Sequence, residues 1–380
     1  MKIASIKTFI LSDKLGKKFS FSQWEYSERR ICIVKITTDE GLVGWGEGYG
    51  PADVLAEGIK LLCPLLIGKN PLEQEVLWFD MYRKTLDFAR SGVLVASISA
   101  IDIALWDLKG KALKLPLSIL LGGQHRDKVV PYATGLYFSE SMDLGKDLAE
   151  EALEYVAEGF KAIKMKVGHS VKEDFRNVRM VREAIGDEVM LMVDSNHAYS
   201  LREAAQLARM IEPFNIGWFE EPVSPEFYHH YRELRNKTTI PIAGGECEYL
   251  RYGFQRLLQN ECVDILQVDI CGAGGLTEAK RISALASTYG IEIIPHTWGT
   301  GIAFHTALHF IANLEPIPGR LISPDFFIEY DRTENGIREQ LTQPSILMKD
   351  GMISVPDYPG LGIEIDEEII QYYSDEMVVN

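Results

Sequence analysis

The chain has 380 residues, 46% of them hydrophobic and 25% charged, with a formal net charge of −16. That length holds a barrel of about 250 residues plus a second, smaller unit, and the composition is that of an ordinary globular protein. The acidic balance argues against nucleic acid or an anionic membrane surface as partner, though not against a small anion held in a local positive pocket.

The five cysteines, Cys32, Cys63, Cys247, Cys262 and Cys271, are odd in number and show no paired spacing. They suit a reducing cytoplasm better than a disulfide framework, so a cytoplasmic location is expected. Met1–Leu11 lacks the apolar core of a signal peptide, and no run approaches the length of a membrane span.

Lys2–Leu11 alternates as a strand. Arg30–Thr37 and Leu42–Glu47 flank the turn Thr38-Asp39-Glu40-Gly41 and read as a β-hairpin. Residues 12–29, with Phe19, Phe21, Trp24 and Tyr26, read as a long loop of the kind that serves as a lid. Three helical patterns follow, Ala52–Ile67, Pro71–Asp87 and Val93–Leu113, and the third is apolar enough to be buried. Leu120-Leu121-Gly122-Gly123 ends this first unit, taken as residues 1–125. A strand over Val129–Gly135 opens a second unit, 126–345, and a segment 346–380 follows with strands at Met352–Val355 and Gly362–Ile365.

The second unit has a beat. Short apolar runs end in charged residues: Lys164-Met165-Lys166, Asp194, Glu220, Glu246, Asp269, His296 and Glu329. From Lys166 the steps are 28, 26, 26, 23, 27 and 33 residues. A strand, a helix and two loops take about 25–30 residues, so these are repeated βα units. A charged residue closing each strand is the layout of a (β/α)8 barrel, whose active site lies at the C-terminal strand ends. One such residue is ordinarily a helix cap or a solvated loop side chain. Six in register behind a Lys-x-Lys pair are not explained that way.

Asp194, Glu220 and Glu246 close successive strands and would repel one another without a cation. A hard divalent ion with oxygen ligands resolves this, and Mg²⁺ keeps positions open for substrate. Zinc is not expected, because Cys247 should point away from its neighbour Glu246. Lys164 and Lys166 share one side of their strand, so each should lower the pKa of the other toward that of a general base. Asp269 and His296, on neighbouring strands, form a second proton-transfer pair. Two such groups facing across a metal suit removal of a proton α to a carboxylate, the metal stabilising the enediolate. Glu329, if protonated, would donate a hydrogen bond to that carboxylate.

These motifs, with Val193-Asp194-Ser195-Asn196, Trp218-Phe219-Glu220-Glu221-Pro222, Gly244-Gly245-Glu246, Asp264–Asp269, Pro295–Gly301 and Ile328–Asp331, resemble the enolase superfamily, mandelate racemase subgroup. The resemblance spans nearly the whole chain. It implies an α/β fold: a (β/α)8-type barrel, a modified TIM barrel, with an α+β capping domain built from residues 1–125 and the tail 346–380. It implies Asp194, Glu220 and Glu246 as Mg²⁺ ligands and Lys166 as one base. It places Lys164 near the substrate carboxylate and makes His296 with Asp269 the opposite acid/base. Glu329 becomes the electrophilic partner, Asn196 a polar substrate contact and Glu221 an outer support. Several stretches, Asp264–Gly275 and Glu329–Thr333 among them, resemble galactarolactone and 3,6-anhydrogalactonate cycloisomerases.

Beyond these, His197, His169, Trp298, Tyr137 and Trp24 stand where loops reach the mouth, and Trp24, Tyr137, Trp298 and His197 are taken as substrate contacts. His305 and His309 have metal-like spacing but follow into an outer helix and read as packing or surface residues. The expected activity is Mg²⁺-dependent β-elimination from a sugar acid or its lactone, a cycloisomerase or acid-sugar dehydratase. A racemase or epimerase of a 2-hydroxy acid is the alternative within the class, and a ligand-binding barrel the alternative outside it. The partner is a small carboxylate, with no nucleic acid and no membrane, and the resemblance suggests a homo-oligomer, a dimer or octamer.

Overall fold

The computed structural model describes residues 1–316, 318–319 and 325–379. It opens on three antiparallel strands, β1 (Ile3–Ser20), β2 (Glu25–Thr38) and β3 (Val43–Gly48). Helices α1 (Ala52–Leu62), α2 (Gln74–Thr85), α3 (Val93–Leu113) and the short α4 (Leu117–Leu120) follow. The expected loop over residues 12–29 is instead the far end of the β1–β2 hairpin. Its arms pair from Ile3↔Thr38 to Ser20↔Glu25, with a register shift between Lys14 and Phe19. Aromatic side chains at alternate positions explain the strand: Phe19 stacks on Tyr26 with ring centroids 5.3 Å apart. The polarity that suggested a loop belongs to a two-stranded ribbon exposed beyond the sheet.

α3 is buried on nearly every side. It lies against β3, where a Cβ on Gly44 or Gly46 would collide with the carbonyl oxygens of Ala104 and Ala100. Those glycines let strand and helix approach closely.

The barrel follows as β4 (Lys128–Thr134), α5 (Leu144–Glu158), β5 (Ala162–Lys166), α6 (Val171–Ile185), β6 (Met190–Asp194), α7 (Leu201–Ile211), β7 (Ile216–Glu220) and α8 (Tyr228–Arg235). It continues with β8 (Ile242–Gly244), α9 (Leu250–Gln259), β9 (Ile265–Leu266), α10 (Gly275–Tyr289), β10 (Glu292–Ile293), α11 (Gly301–Asn313) and β11 (Phe327–Asp331). Ser200 caps α7 in a full capping box with Glu203, as its sequence pattern demands. Neighbouring strands from β4 to β10 pair in parallel, and β11 returns to pair with β4.

Strand alternation then sets the site. Ala162, Met192, Trp218, Ala243, Ile265, Ile294 and Tyr132 form their own apolar cluster, with Phe327 packed on it. Two residues onward along the same strands come Lys164, Asp194, Glu220, Gln267, His296, Thr134 and Glu329. Residues i and i+2 share a face, so the barrel interior is apolar below and charged at the C-terminal mouth.

The chain ends with α12 (Gly336–Gln340), β12 (Thr342–Gln343), β13 (Met348–Lys349), β14 (Met352–Ser354), β15 (Glu364–Ile365), α13 (Glu367–Tyr373) and β16 (Ser374–Val379). β14 pairs antiparallel with β4 at the opposite end from the mouth, and β16 adds an edge strand to β1. The first sheet therefore has the order β16-β1-β2-β3, so the tail does return to the N-terminal unit.

Candidate active site

The β5 lysines share Asp194 and otherwise reach different partners. Lys164 Nζ lies 2.6 Å from Glu220 Oε1, 2.9 Å from Glu329 Oε1 and 3.6 Å from Asp194. Lys166 Nζ donates to Asp194 Oδ2 at 2.5 Å and to Asn196 Oδ1 at 2.8 Å. Across the mouth, His296 Nδ1 is 2.6 Å from Asp269 Oδ2, and its Nε2 is 3.6 Å from Glu246 and 3.9 Å from Glu329. Glu329 also accepts from Thr134 Oγ1 at 2.7 Å and from the Thr297 N–H at 2.9 Å. All of these side chains are buried or nearly so.

This density of charge corrects two expectations. Lys166 does not have a lowered pKa. Burial and Lys164 pull it down, but the Asp194 carboxylate outweighs both and holds the ammonium charged. Lys164 is likewise held well above the ordinary lysine range against its burial, by Glu220 and Glu329. Glu329 is ionised rather than protonated: burial is overcome by Lys164, His296 and its hydrogen bonds. His296 is pushed up to about 10, burial being outweighed by Glu246, Glu329 and Asp269, so it is an imidazolium. Glu220 shifts the other way, upward, through burial and the neighbouring carboxylates, even with Lys164 beside it. Lys164 divides its charge among three acids and cannot fully satisfy one.

The hairpin tip closes the mouth. Ser22 Oγ donates to the backbone oxygens of Ser195 at 2.9 Å and Asn196 at 3.0 Å, and Gln23 Nε2 donates to Asn196 O at 2.5 Å. Ser20 and Phe138 exchange a pair of backbone hydrogen bonds. Beneath lies a cavity of about 190 Å³ lined by Lys166, Asn196, His197, Glu246, Cys247, His296, Glu329, Tyr137 and Trp298, with Phe21, Gln23, Tyr26 and Tyr49. Lys164, Asp194, Glu220 and Asp269 support that lining from below and behind.

Four of the expected contacts, Asn196, His197, Tyr137 and Trp298, thus face the cavity. Trp24 does not: it is 63% exposed and lies on an outer groove, because the turn of the ribbon carries it away from the mouth. Phe21, Gln23 and Tyr26 take its place. Their signal in the sequence was the aromatic clustering of residues 19–26. Tyr49, just past β3, carried no such signal; its ring centroid lies 5.2 Å from that of His296. Cys247 faces the cavity beside Glu246, contrary to the alternation argument, because β8 ends at Gly244 and Gly245 takes a φ of 130°. His169 stacks on Phe138, away from the cavity. His305 and His309 are buried, bonded to the backbone at Gly301 and at Ser118 and Leu361, and pack α11.

The donor set of Asp194, Glu220 and Glu246 is all carboxylate, which fits a hard divalent cation such as Mg²⁺. Asp194 and Glu220 are partners in the β6–β7 register. Glu220 is raised first by burial, with the carboxylates of Asp194, Glu329 and Glu246 adding to it. The three carboxylates are not drawn into a tight trio: Asp194 and Glu220 bond the lysines, and Glu246 turns toward His296. Among the described residues the trio of ligand-type side chains that converges within 4.8 Å is His197, Glu221 and Cys247.

Residues 5–122 match the mandelate racemase / muconate lactonizing enzyme N-terminal domain, and residues 147–369 match the enolase C-terminal domain-like family. The chain is 41% identical over 370 residues to D-galactarolactone cycloisomerase of Agrobacterium fabrum, covering 97% of this chain and 98% of that one. It is 39% identical over 347 residues to arabinonate dehydratase of Saccharolobus solfataricus, covering 90% of each. Its fold superposes with a TM-score of 0.91 on the crystal structure of the 3,6-anhydro-D-galactonate cycloisomerase from Zobellia galactanivorans, at 52% identity over 99% of this chain and 100% of that one. Among the described residues no helix is long and apolar enough to cross a membrane.

Proposed function

The chain belongs to the mandelate racemase / muconate lactonizing enzyme family of the enolase superfamily, and from that premise we propose that it removes the proton α to the carboxylate of a sugar acid or sugar-acid lactone and expels a β-oxygen. The observation that carries the proposal is the cavity. It has a Lys166 ammonium on one wall and the His296–Asp269 pair on another, with Glu329 between them in strand order. The relatives named above act on galactarolactone, arabinonate and 3,6-anhydrogalactonate, and we infer a substrate of that class.

Each side chain has a task that its surroundings support. Lys166 is kept charged by Asp194, so it becomes a base once the Asp194 charge is neutralised. His296, an imidazolium oriented by Asp269, delivers a proton to the departing oxygen or to the carbon skeleton. Lys164 and Glu329 form a paired floor beneath the substrate carboxylate, Lys164 screening its charge. Asn196, His197, Tyr137, Trp298 and the hairpin residues Phe21, Gln23 and Tyr26 select the polyol part. Enolase-superfamily members generally use Mg²⁺; here Asp194, Glu220 and Glu246 would hold it, and when bound it supplies Lewis-acid stabilisation of charge on the substrate carboxylate.

Cycloisomerisation is favoured over dehydration, because the 52% identity to the anhydrogalactonate enzyme exceeds the 39% to the arabinonate dehydratase. The test is a panel of acid sugars, lactones and anhydro-sugar acids incubated with Mg²⁺ and read by mass spectrometry. A product of unchanged mass from a cyclic substrate that also carries a new ketone supports cycloisomerisation, unchanged mass without one means epimerisation, and loss of water from an open-chain acid supports dehydration. No turnover of any carboxylate in the panel contradicts the proposal. The family also suggests a dimer or octamer, which light scattering decides.

A further inference from the structure

His197, Glu221 and Cys247 form a cluster of which the proposed reaction uses His197 alone, as a polyol contact. Glu221 follows β7, His197 lies in the loop after β6, and Cys247 in the loop after β8. The loops are clasped: the His197 N–H donates to Glu221 O at 2.8 Å, as does Ser195 Oγ. Asn196, His197 and Glu221 all take left-handed backbone angles, with φ of 42°, 69° and 41°. Such conformations cost free energy in residues other than glycine and gather at functional sites.

The side-chain atoms converge. His197 Nε2 stands 3.1 Å from Glu221 Oε2 and 3.5 Å from Cys247 Sγ, and all three ligand atoms lie within 4.8 Å of one another. Nitrogen, oxygen and sulfur bound to one tetrahedral zinc ion stand roughly 3.3–3.6 Å apart, from metal–ligand bonds of about 2.0–2.3 Å. Glu221 is only 1% exposed, and its Oε2 has the His197 imidazole and the Cys247 thiol beside it. A buried carboxylate oxygen, an imidazole nitrogen and a thiol sulfur turned toward one point are a donor set that a soft divalent ion can bind. Cys247 is exposed and lines the cavity with His197, so an ion arriving from solvent meets these two ligands first, with Glu221 behind them.

We propose that His197, Glu221 and Cys247 form a three-ligand site for a thiophilic divalent cation of the zinc class, with its fourth position open to the catalytic cavity. Nitrogen and sulfur donors select such an ion over Mg²⁺, which prefers the carboxylates next to it. Glu220 and Glu221 are adjacent, so the two sites share a wall but no ligand. Binding of such an ion to the Cys247 thiol breaks the S–H bond, forms the metal–sulfur bond and releases the proton to solvent. An ion so placed occupies the wall that faces the polyol, and it inhibits by excluding substrate.

The probe is Co²⁺ added to the intact protein in saturating Mg²⁺, because a cobalt–thiolate bond absorbs in the near ultraviolet where Mg²⁺ and Zn²⁺ are silent. The expected result is a band that saturates at one equivalent, disappears when Zn²⁺ is added, and is absent from Cys247→Ser. His197→Gln should weaken Co²⁺ binding by roughly tenfold or more, with circular dichroism showing both variants folded. Zn²⁺ should raise the apparent KM for the sugar acid. The proposal is overturned if no band forms in the folded wild type, or if Cys247→Ser keeps it at full size. Neither result touches the Mg²⁺-dependent reaction, since the hard site is saturated throughout and the readout is a sulfur–metal bond.

Discussion

The two walls of the cavity were built by different rules. The barrel rim carries its chemistry on strand ends, where alternation and hydrogen-bonded register fix each side chain over an apolar layer of Tyr132, Met192, Trp218 and Ile294. The capping wall comes from the tip of a long hairpin, residues 19–26, held to the rim by a few bonds such as Ser22 to Ser195 and Gln23 to Asn196. The rim is organised by charge and the cap by aromatic contact. One expects the first to govern the rate constant of proton transfer, and the second to govern which polyol fits and how tightly.

The sharpest way to break that contrast is at the rim. Lys166→Ala and His296→Asn should each lower kcat by about 10²–10⁴, the usual worth of a general acid or base, with KM much less affected. Steady-state kinetics on the best substrate of the panel decides this. If KM alone moves, the division between chemistry and recognition fails.

The joint between cap and barrel comes next. Arg29 on β2 is buried, pairs with Asp331 at 2.9 Å and stacks on Trp298 at 4.1 Å. Asp331 keeps a second partner, Arg338, at 2.8 Å, so Arg29→Ala should cost about 3 kcal/mol, the low end for breaking a buried pair. Urea unfolding measures it. A change near zero would mean the cap sits on the rim without depending on this contact.

Glu47, at the end of β3, is buried and accepts hydrogen bonds from Thr300 and Ala303 at the start of α11. Burial pushes its carboxyl up to about 7 from 4.5, more than those hydrogen bonds pull it down. The folded state then holds a proton that the unfolded chain has lost. Glu47 thus makes its full contribution below pH 4.5, loses it as pH rises toward 7, and stays depleted above. The ceiling is about 3 kcal/mol at 1.36 kcal/mol per pH unit. Glu47→Gln, which mimics the protonated acid, should flatten the loss of stability between pH 4.5 and 7 in unfolding titrations. An unchanged slope refutes the assignment.

The smallest expected effect is at the tip. Gln23→Ala removes one bond to Asn196 and one polar contact from the cavity, and should raise KM by about tenfold, the equivalent of about 1.4 kcal/mol, while leaving kcat nearly intact. A fall in kcat with no change in KM would place the tip in the chemistry instead.

The same contrast explains what could be read from the sequence. Strand period and the steps near 26 residues located Lys164, Lys166, Asp194, Glu220, Asp269, His296 and Glu329, because a barrel repeats one local geometry and each residue's direction follows from its neighbours. Cys247 escaped that logic where β8 stops at Gly244 and the chain leaves the strand before Glu246. Trp24 was misplaced because the facing of a ribbon's turn depends on register, and the shift between Lys14 and Phe19 leaves no trace in composition. The protonation states were also out of reach. They are set by distances between strands, such as 2.5 Å from Lys166 to Asp194, and not by the i, i+2 neighbour that sequence shows.

The central claim is that this cavity takes the proton from the carbon next to a carboxylate, and exchange with solvent tests it most directly. With Mg²⁺ in D2O, the product should carry solvent deuterium on the carbon that lost its oxygen, because the α carbon itself becomes a ketone, and one of the two variants, Lys166→Ala or His296→Asn, should still exchange the α proton of unreacted substrate while failing to complete the reaction. Turnover with no solvent deuterium in the product or in recovered substrate for any form of the enzyme, joined to undiminished turnover in both variants, would contradict the account.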